Sequence, residues 1–366
     1  MALDCRALHW PGIGRYCREL AAALPVAAPE LEFRWLCSSD GARQLPRSPT
    51  ARPLVLRTRP LSVAEQLEIP AALVRNGIDL LHVPASFTFP LLTPRFVVTV
   101  HDLMLKRFPE FLPSLVGRAY YGVMTKIALR RARRVITVSA FTRADVLTFW
   151  PGVAAKTVTV WNGVSVLFQP VADPTTLAQV RSALALPDQY ILYIGTCKRH
   201  KNLPRLLEAY SGLPREQRRR NPLLLVAKPD PRYPEIEATI RRTGLLDDVL
   251  WRTGIPDQDL PAVYTLAKFL VLPSLYEGFG LPLAEAMACG TPSLVALAGA
   301  LPEVGGDACL YANPRDVEEL RRGLARLLED ETLRADLAQR ALCRAKEFSW
   351  STAASRIAQL YLEALG

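Results

Sequence analysis

Short apolar runs alternate with longer amphipathic stretches along the whole chain. The runs in the first half are FRWLCS (33–38), PLVLR (53–57), IDLLHVP (78–84), RFVVTVHD (95–102), RVITVS (134–139) and VTVWNGV (158–164). The pattern restarts with YILYIG (190–195), PLLLVAK (222–228), DVLWRTG (248–254), KFLVLPS (268–274) and PSLVAL (292–297). Runs of this length between helical stretches are typical of buried strands in a mostly parallel sheet. The pattern therefore predicts an α/β protein with two such sheets.

A segment of little periodic order, residues 165–180, separates the two sets of strands and contains Pro170 and Pro174. We interpret it as a hinge, because proline-bearing, aperiodic segments commonly connect domains. The predicted domains are residues 1–165 and 166–348, followed by a helix over residues 349–366 with Ser349 as its N-cap. We expect this last helix to pack back across the N-terminal domain. A length of 366 residues also favours two domains over one.

Composition narrows the classes of protein. No run reaches the roughly 18 apolar residues of a membrane span, and Asp4, Arg6 and Arg15 lie where a secretory signal needs apolar residues. We therefore expect a cytoplasmic protein. The seven cysteines form no CxxC pair, which predicts reduced, mostly buried thiols and no metal cluster.

The net charge of +10 favours an anionic partner, which charge alone does not identify. Basic residues concentrate in residues 105–135, between aromatic and aliphatic positions. Two interpretations stay open: a core helix with a solvated basic face, or a surface on an anionic membrane, where each basic side chain contributes about 1 kcal/mol. A nucleic-acid partner is not expected, because no stacking or groove-reading motif accompanies these residues.

The strongest candidate site lies in LVLPSLYEGFGLPLAEAMACGTP (270–292). A buried strand ends at Pro273, the loop EGFG follows, and Pro282 lies where a helix begins. The loop brings the backbone N–H groups of Gly278, Phe279, Gly280 and Leu281 towards a ligand. The helix N-terminus adds positive partial charge, which suits a diphosphate or sugar hydroxyls.

Two acidic residues flank this loop and helix. Glu277 and Glu285 are eight residues apart, one on the loop and one in the helix, so both are expected to face one crevice. Carboxylates accept hydrogen bonds from sugar hydroxyls. The alternative is that both merely complement the helix dipole or lie in solvent; the loop context favours binding.

Other candidates follow predicted strands or precede a helix. Gly12 and Gly14 form a turn before the helix RYCRELAAAL, where backbone amides can approach a phosphate. His101 and Asp102 close the strand RFVVTVHD, at the edge where parallel sheets bind ligands. Lys201 follows the strand YILYIG, where an ammonium group can offset negative charge on a ligand.

These residues lie in motifs that resemble a known family. EGFGLPLAEAMACGTP is similar to the EX7E signature of retaining glycosyltransferases with the GT-B fold, specifically the mannosyltransferase-like family 4. PGIGRY, VTVHDL, VSAFTRADV, VWNGV, YIGTCKRHKNLPRLLEAY and ALPEVGGDACLY agree with it in order over nearly the whole chain. The resemblance implies two Rossmann-like, doubly wound domains facing across a cleft. It also implies donor binding by the C-terminal domain, acceptor binding by the N-terminal domain, and neither metal nor cofactor.

The resemblance also implies a role for each residue. It places Glu285 on the donor ribose, Glu277 and the adjacent loop amides on the transferred sugar, and Lys201 on the diphosphate. It places His101 near the transferred sugar, while Asp102 orients His101 or meets the acceptor hydroxyl. The glycine turn at residues 12–14 would contact donor and acceptor.

The chain departs from the family pattern twice. Similar sequences usually read RKN, whereas here His200 precedes Lys201 and Arg199 lies one position earlier. Either Arg199 reaches the diphosphate, or that site is weaker, since arginine is a bidentate clamp and neutral histidine is not. The DCRAL segment also starts already at Asp4, so either the first strand is shortened or the true start lies upstream.

The function implied is retaining transfer of a hexose, preferably mannose from GDP-mannose, to a hydroxyl of a glycan or lipid-linked saccharide in polysaccharide biosynthesis. UDP-glucose and dTDP-deoxysugars are alternative donors. An NDP-sugar epimerase and a non-catalytic sugar-nucleotide-binding scaffold are the competing classes. Peripheral contact with the inner face of a membrane would suit a lipid-linked acceptor.

Overall fold

The protein divides into two compact units in its computed structural model, which describes residues 1–88, 90–112 and 114–366. One unit comprises Met1–Gly163 and Ser349–Gly366, and the other comprises Val164–Phe348. The domain boundary expected from the sequence lies two residues from this division.

The first unit is built on a parallel sheet. Its strands are β1 (Ala2–Asp4), β2 (Phe33–Cys37), β3 (Ala51–Val55), β4 (Leu81–Val83), β5 (Phe96–Val100), β6 (Arg134–Thr137) and β7 (Thr157–Thr159). Their spatial order is β3-β2-β1-β4-β5-β6-β7. The strands predicted from the apolar runs of this half are confirmed. The short β1 has no comparable run, yet it lies in the middle of the sheet, between β2 and β4.

Helices cover both faces of this sheet. They are α1 (Ile13–Ala27), α2 (Glu65–Arg75), α3 (Met104–Arg107), α4 (Leu115–Arg131) and α5 (Ala140–Phe149). Neighbouring residues of one strand point to opposite faces, so Trp35 packs in a core with α1 whereas Leu36 packs in a core with α2 and α4. Ser139 caps α5 by accepting a hydrogen bond from the Thr142 amide at 2.9 Å.

The basic segment 105–135 contains α3, a short 3-10 turn at Pro109–Phe111, α4 and the start of β6. One face of α4 is buried and includes Tyr121, Met124 and Leu129. A buried face is what the first of the two interpretations, a core helix, requires. The opposite face carries exposed apolar and basic side chains together.

The second unit repeats the architecture. Its strands are β8 (Ile191–Ile194), β9 (Leu223–Val226), β10 (Val249–Arg252), β11 (Phe269–Leu272), β12 (Ser293–Ala296) and β13 (Leu310–Ala312), in the order β10-β9-β8-β11-β12-β13. Its helices are α6 (Pro174–Ala183), α7 (Leu203–Ser211), α8 (Arg215–Arg220), α9 (Glu235–Arg242), α10 (Leu260–Leu266), α11 (Leu281–Ala288), α12 (Leu301–Gly305), α13 (Val317–Glu329) and α14 (Glu331–Ala345). All strands predicted in this half are confirmed, and β13 is an addition.

The expectation of little order in residues 165–180 is wrong for its second part, where α6 begins at Pro174. Asp173 caps this helix by accepting hydrogen bonds from the amides of Thr175 and Thr176. No residue of α6 is buried, so the helix has no apolar stripe from which periodicity could be read.

The final helix, α15 (Trp350–Leu365), belongs to the first unit and packs against α1. The Ser349 hydroxyl accepts a hydrogen bond from the Thr352 amide at 3.4 Å, so the predicted N-cap is confirmed. All seven cysteines are free, and only Cys343 is exposed, as expected. Within the described part of the chain, no helix is both long and apolar enough to cross a membrane.

Candidate active site

The glycine loop of the second unit lies between β11 and α11. Gly280 is the N-cap of α11 and has a φ of 100°, in the left-handed region that favours glycine. A Cβ atom at this position would lie 2.7 Å from Cδ2 of Leu301. The helix therefore begins at Leu281 with Pro282 in its first turn, as the sequence predicts.

The rest of the loop is anchored by Phe279. Its side chain is buried, and its ring packs edge-on against Phe348 at 5.5 Å between centroids. Gly278 and Gly280 are also buried, whereas Leu281 is half-buried. The loop is thus fixed beyond the carboxyl end of β11, where parallel sheets bind their ligands.

Lys201 and Glu277 form an ion pair at this edge. Lys201 Nζ lies 2.6 Å from Glu277 Oε1, and the two side chains are 13% and 11% exposed. The Ser274 hydroxyl donates to the same oxygen at 2.7 Å. Burial alone would raise the pKa of Glu277, but the charge of Lys201 and these hydrogen bonds outweigh it, so the pKa is lowered. The carboxyl group is therefore ionised at neutral pH.

Asn202 holds Lys201 in place. Asn202 has a left-handed φ of 61°, a conformation that asparagine tolerates better than most residues. Its side-chain amide donates to the carbonyl oxygens of Pro273 at 3.0 Å and Pro314 at 2.7 Å. Sequence reasoning missed this residue, although an asparagine directly before a helix is a recognisable signal.

Glu285 lies on α11 and is 3% exposed. The Tyr264 hydroxyl, from α10, donates to Glu285 Oε2 at 2.9 Å. The backbone of Glu277 is held by Ala300, because the Ala300 amide donates to the Glu277 main-chain carbonyl oxygen at 2.9 Å. Neither Tyr264 nor Ala300 was predicted, because no local spacing connects them to the two glutamates.

Arg199 does not join the Lys201–Glu277 pair. Arg199 Nε lies 3.2 Å from Oε1 of Glu235, and 57% of the Arg199 side chain is exposed. His200 is buried, which lowers its pKa to about 3, so its imidazole is neutral. The segment therefore presents one cation, Lys201, to the ion pair, and the arginine is engaged on the surface.

In the first unit, His101 directly follows β5. Its ring packs edge-on against Tyr16 at 4.8 Å, and its Nε2 atom is buried without a hydrogen-bond partner among the described residues. Burial lowers the pKa of His101 to about 4, although a hydrogen bond with the Pro84 backbone opposes the shift. Asp102 accepts a hydrogen bond from the Met104 amide at 2.9 Å, at the start of α3.

A buried polar chain fixes the Tyr16 ring beside His101. The hydroxyls of Tyr16 and Thr99 are 3.0 Å apart, and Thr99 Oγ1 lies 2.7 Å from Nε2 of His82. The other ring nitrogen of His82 lies 2.6 Å from the Tyr361 hydroxyl of α15. Sequence reasoning missed this network, which joins distant parts of the chain.

The amides of the glycine turn before α1 are expected to approach a phosphate, and two of them are engaged within the chain. The amides of Ile13 and Gly14 donate to the carbonyl oxygens of Pro11 and Trp10 at 3.0 and 2.8 Å. A Cβ atom on Gly14 would lie 2.0 Å from the Leu8 carbonyl oxygen, so the glycine allows this close approach. Gly12 is the N-cap of α1. The structure thus gives Gly14 a packing role.

A buried charge cluster lies beyond the carboxyl end of β1. Arg6 donates to both carboxylate oxygens of Asp4, at 2.8 and 2.7 Å, and to Glu65 Oε2 at 2.9 Å. The side chains of Arg6 and Glu65 are 1% and 0% exposed. This cluster attaches the start of α2 to the end of β1. Among the described residues of the whole chain, no group of three or more His, Cys, Asp or Glu could hold a metal ion.

Two parallel, doubly wound sheets are also found in solved structures. Sucrose-phosphate synthase from Thermosynechococcus elongatus has a TM-score of 0.79 and 25% identity, over 99% of this chain and 98% of that chain. Anabaena Alr3699/HepE in complex with UDP-glucose has a TM-score of 0.79 and 19% identity, over 99% of each chain, which shows the fold alone. The architecture is that of a GT-B glycosyltransferase.

Sequence comparison identifies the family within this class. The family profiles "Glycosyltransferase Family 4" and "Glycosyl transferases group 1" match residues 10–166 and 177–343. The O-antigen chain mannosyltransferase B of Escherichia coli is 33% identical over 96% of this chain and 95% of its own length. The MMP alpha-(1->4)-mannosyltransferase of Mycolicibacterium hassiacum is 35% identical over 68% of this chain and 59% of its own length. The chain belongs to glycosyltransferase family 4 and is a glycosyltransferase.

Proposed function

We propose that the protein is a retaining mannosyltransferase that uses GDP-mannose and an acceptor hydroxyl of a glycan or lipid-linked saccharide in polysaccharide biosynthesis. The observation that carries the proposal is the Lys201–Glu277 pair beside the glycine loop at the carboxyl end of β11. The choice of mannose is supported by relatives that are mannosyltransferases by name, among them the two described above.

The second unit binds the donor in this proposal. Lys201 offsets the charge that gathers on the leaving diphosphate, and the start of α11 adds loop amides and a positive helix end. Lys201 and Ser274 both bond Oε1 of Glu277, so a hydroxyl of the transferred sugar would donate to Oε2. Glu285, whose Oε2 accepts a hydrogen bond from Tyr264, would accept a hydrogen bond from the ribose.

The first unit supplies His101 to the transferred sugar and binds the acceptor. A buried polar atom without a partner is costly, so a sugar hydroxyl at Nε2 of His101 would remove that cost. The pKa of about 4 keeps the ring neutral, with one nitrogen able to accept a hydrogen bond. The proposal also includes Gly12, in the turn that would contact donor and acceptor, and Asp102, which would orient His101 or meet the acceptor hydroxyl. Both are included because their positions match the family pattern.

In the proposed reaction the configuration at the anomeric carbon is retained, and no covalent intermediate forms between sugar and protein. The bond between the anomeric carbon and the diphosphate oxygen breaks, and a bond from the acceptor oxygen forms on the same face. The acceptor proton passes to the departing phosphate, so the products are a glycoside and GDP. The proposed reaction uses no metal and no cofactor. The protein contributes positioning and electrostatic stabilisation.

A non-catalytic, sugar-nucleotide-binding subunit is the second candidate. It is favoured by one observation: the segment before Lys201 offers a neutral His200 and an Arg199 engaged by Glu235. Tight donor binding without turnover would support it. UDP-glucose and dTDP-deoxysugars are the alternative donors for the catalytic proposal.

We further propose peripheral contact with an anionic membrane through α4, at the cytoplasmic face. Leu115 and Val116 are 75% and 79% exposed at the start of this helix. Basic side chains of the same helix, among them Lys126 and Arg130, are exposed as well. Apolar insertion and attraction to anionic lipids act together in such contacts. No nucleic-acid partner is proposed.

The test measures release of nucleoside diphosphate from GDP-mannose, UDP-glucose and dTDP-sugars, with saccharide acceptors. GDP-mannose should give the highest kcat/KM. Glu285→Gln should lower it roughly 10- to 150-fold, the usual range for losing a hydrogen bond to a charged group. Glu331→Gln, an exposed glutamate of α14, is the matched control. Equal turnover by wild type and Glu285→Gln would overturn the assignment of this site.

A further inference from the structure

A cavity of about 770 Å³ lies in the first unit between α4 and the segment that follows α5. Five basic residues line it, and they are Lys106, Arg118, Lys126, Arg130 and Lys156. None of the described residues that line it is acidic. The volume falls within the roughly 300–1,000 Å³ that is usual for small-molecule sites.

The segment around the cavity is also predominantly basic. Residues 104–156 contain ten Lys and Arg but only two acidic residues, Glu110 and Asp145. Asp145 is buried and lies against the Arg107 guanidinium, at 2.5 Å. The positive field of the cavity is therefore scarcely neutralised by this segment, and such a field attracts anions.

Two of the basic residues are fixed by the backbone. Lys156 Nζ donates to the carbonyl oxygens of Arg130 at 2.6 Å and Ala132 at 2.8 Å, which ties the segment before β7 to the end of α4. Arg118 Nε donates to the Leu112 carbonyl oxygen at 2.6 Å. These contacts set the walls of the cavity before a ligand arrives, which reduces the entropy lost on binding.

Lys126 and Arg130 differ from this pair. They are one helical turn apart on α4 and exposed, so the same ligand can meet both. Phe149 and Trp150 add an apolar wall, with ring centroids 5.7 Å apart. Charged donors beside a half-buried aromatic wall suit an anion joined to an apolar group.

We propose that this cavity is a phosphate-binding site, separate from the residues assigned to donor and transferred sugar. Phosphate oxygens accept strong charge-assisted hydrogen bonds from lysine and arginine, and several cations around one cavity match its multiple negative charge. The phosphate comes either from the headgroup of an anionic lipid or from a soluble phosphorylated compound. The site deepens the proposed membrane contact if the source is a lipid, and it does not rest on mannosyl transfer.

The test compares wild type with the double variant Lys126→Ala/Arg130→Ala. The matched control is Arg215→Ala/Arg219→Ala, two exposed arginines with the same four-residue spacing on α8 of the second unit. Three probes are used: phosphatidylcholine vesicles containing phosphatidic acid, vesicles of equal surface charge containing cholesteryl hemisuccinate, and inorganic phosphate. Vesicle binding is measured by co-sedimentation and phosphate binding by titration calorimetry.

Wild type should prefer phosphatidic acid over the carboxylate vesicles, and Lys126→Ala/Arg130→Ala should weaken binding to phosphatidic acid roughly 10- to 30-fold. The control should bind like wild type. If instead only the response to inorganic phosphate is lost in the variant, the site exists and its ligand is soluble. None of the substituted residues is assigned to the donor site, so a difference between wild type and Lys126→Ala/Arg130→Ala that the control does not share reports the cavity.

Two results would overturn the proposal. One is equal binding of phosphatidic acid vesicles and inorganic phosphate by wild type and the double variant. The other is an equal loss for phosphatidic acid and hemisuccinate vesicles without any change for inorganic phosphate, which indicates a diffuse basic surface. Neither depends on turnover, so failure of the mannosyltransferase proposal is distinguishable from failure of this one.

Discussion

Each unit carries an ion pair beyond the carboxyl end of a central strand. The two pairs differ in how much of their side chains is exposed to solvent. In the first unit, Arg6 and Glu65 are 1% and 0% exposed, and Arg6 meets Asp4 through two hydrogen bonds. In the second unit, Lys201 and Glu277 are 13% and 11% exposed, and a glycine loop adjoins them. We therefore expect the inaccessible cluster to stabilise the fold, and the more accessible pair to be able to exchange a partner for a ligand.

The largest effect is expected on the buried cluster. Arg6→Met would leave Asp4 and Glu65 buried without their cation, so the free energy of unfolding should fall by roughly 3–5 kcal/mol. Urea unfolding measures it. Arg43→Met, which removes the partner of Asp40 on the surface, is the control and should cost under about 1 kcal/mol. A loss for Arg6→Met as small as that of the control would show that burial does not separate the two kinds of pair.

The second effect is on turnover. Lys201→Ala should lower kcat/KM roughly 100- to 1,000-fold, the usual cost of removing one positioned charge-stabilising donor. The control is Lys268→Ala, because Lys268 lies directly before β11, at the opposite end of the strand that leads to Glu277. Its kcat/KM should stay within about threefold of wild type. Steady-state kinetics well below the unfolding temperature measure both, and equal losses in the two variants would remove Lys201 from the site.

Local signals explain what the sequence could predict. The strands of both sheets are short apolar runs, and the start of α11 is signalled by Gly280 and Pro282 within three residues. Lys201 and Glu277 were both expected beyond strand ends, and the structure brings them together across 76 positions. Strand ends meet at one edge of a parallel sheet, so this meeting follows from topology.

The partners of these residues could not be predicted in the same way. Tyr264 reaches Glu285 across 21 positions, and Arg6 reaches Glu65 across 59. Such contacts depend on how helices pack on the sheet, which no spacing in the chain encodes. The α6 helix was missed for the opposite reason, since its residues have no buried face to produce a pattern.

The smallest effect is expected at Arg199, the residue whose role the sequence left between two alternatives. Its ion pair with Glu235 is exposed, and exposed pairs contribute only about 0.2–1 kcal/mol. Arg199→Ala should therefore change the free energy of unfolding by less than about 1 kcal/mol and kcat/KM by less than about threefold. Urea unfolding and the nucleotide-release assay measure the two quantities.

A loss of kcat/KM close to that of Lys201→Ala would contradict this, and it would mean that Arg199 leaves Glu235 to bind the diphosphate. Glu235→Gln then decides whether Arg199 binds the donor or only Glu235, because this variant removes the charge that holds the Arg199 guanidinium and keeps the guanidinium itself. If Arg199 serves the donor, this variant should lower KM for the donor; if it serves only the surface pair, KM should not change. An unchanged KM in Glu235→Gln, together with full turnover in Arg199→Ala, would leave Lys201 as the cation of this segment that binds the diphosphate.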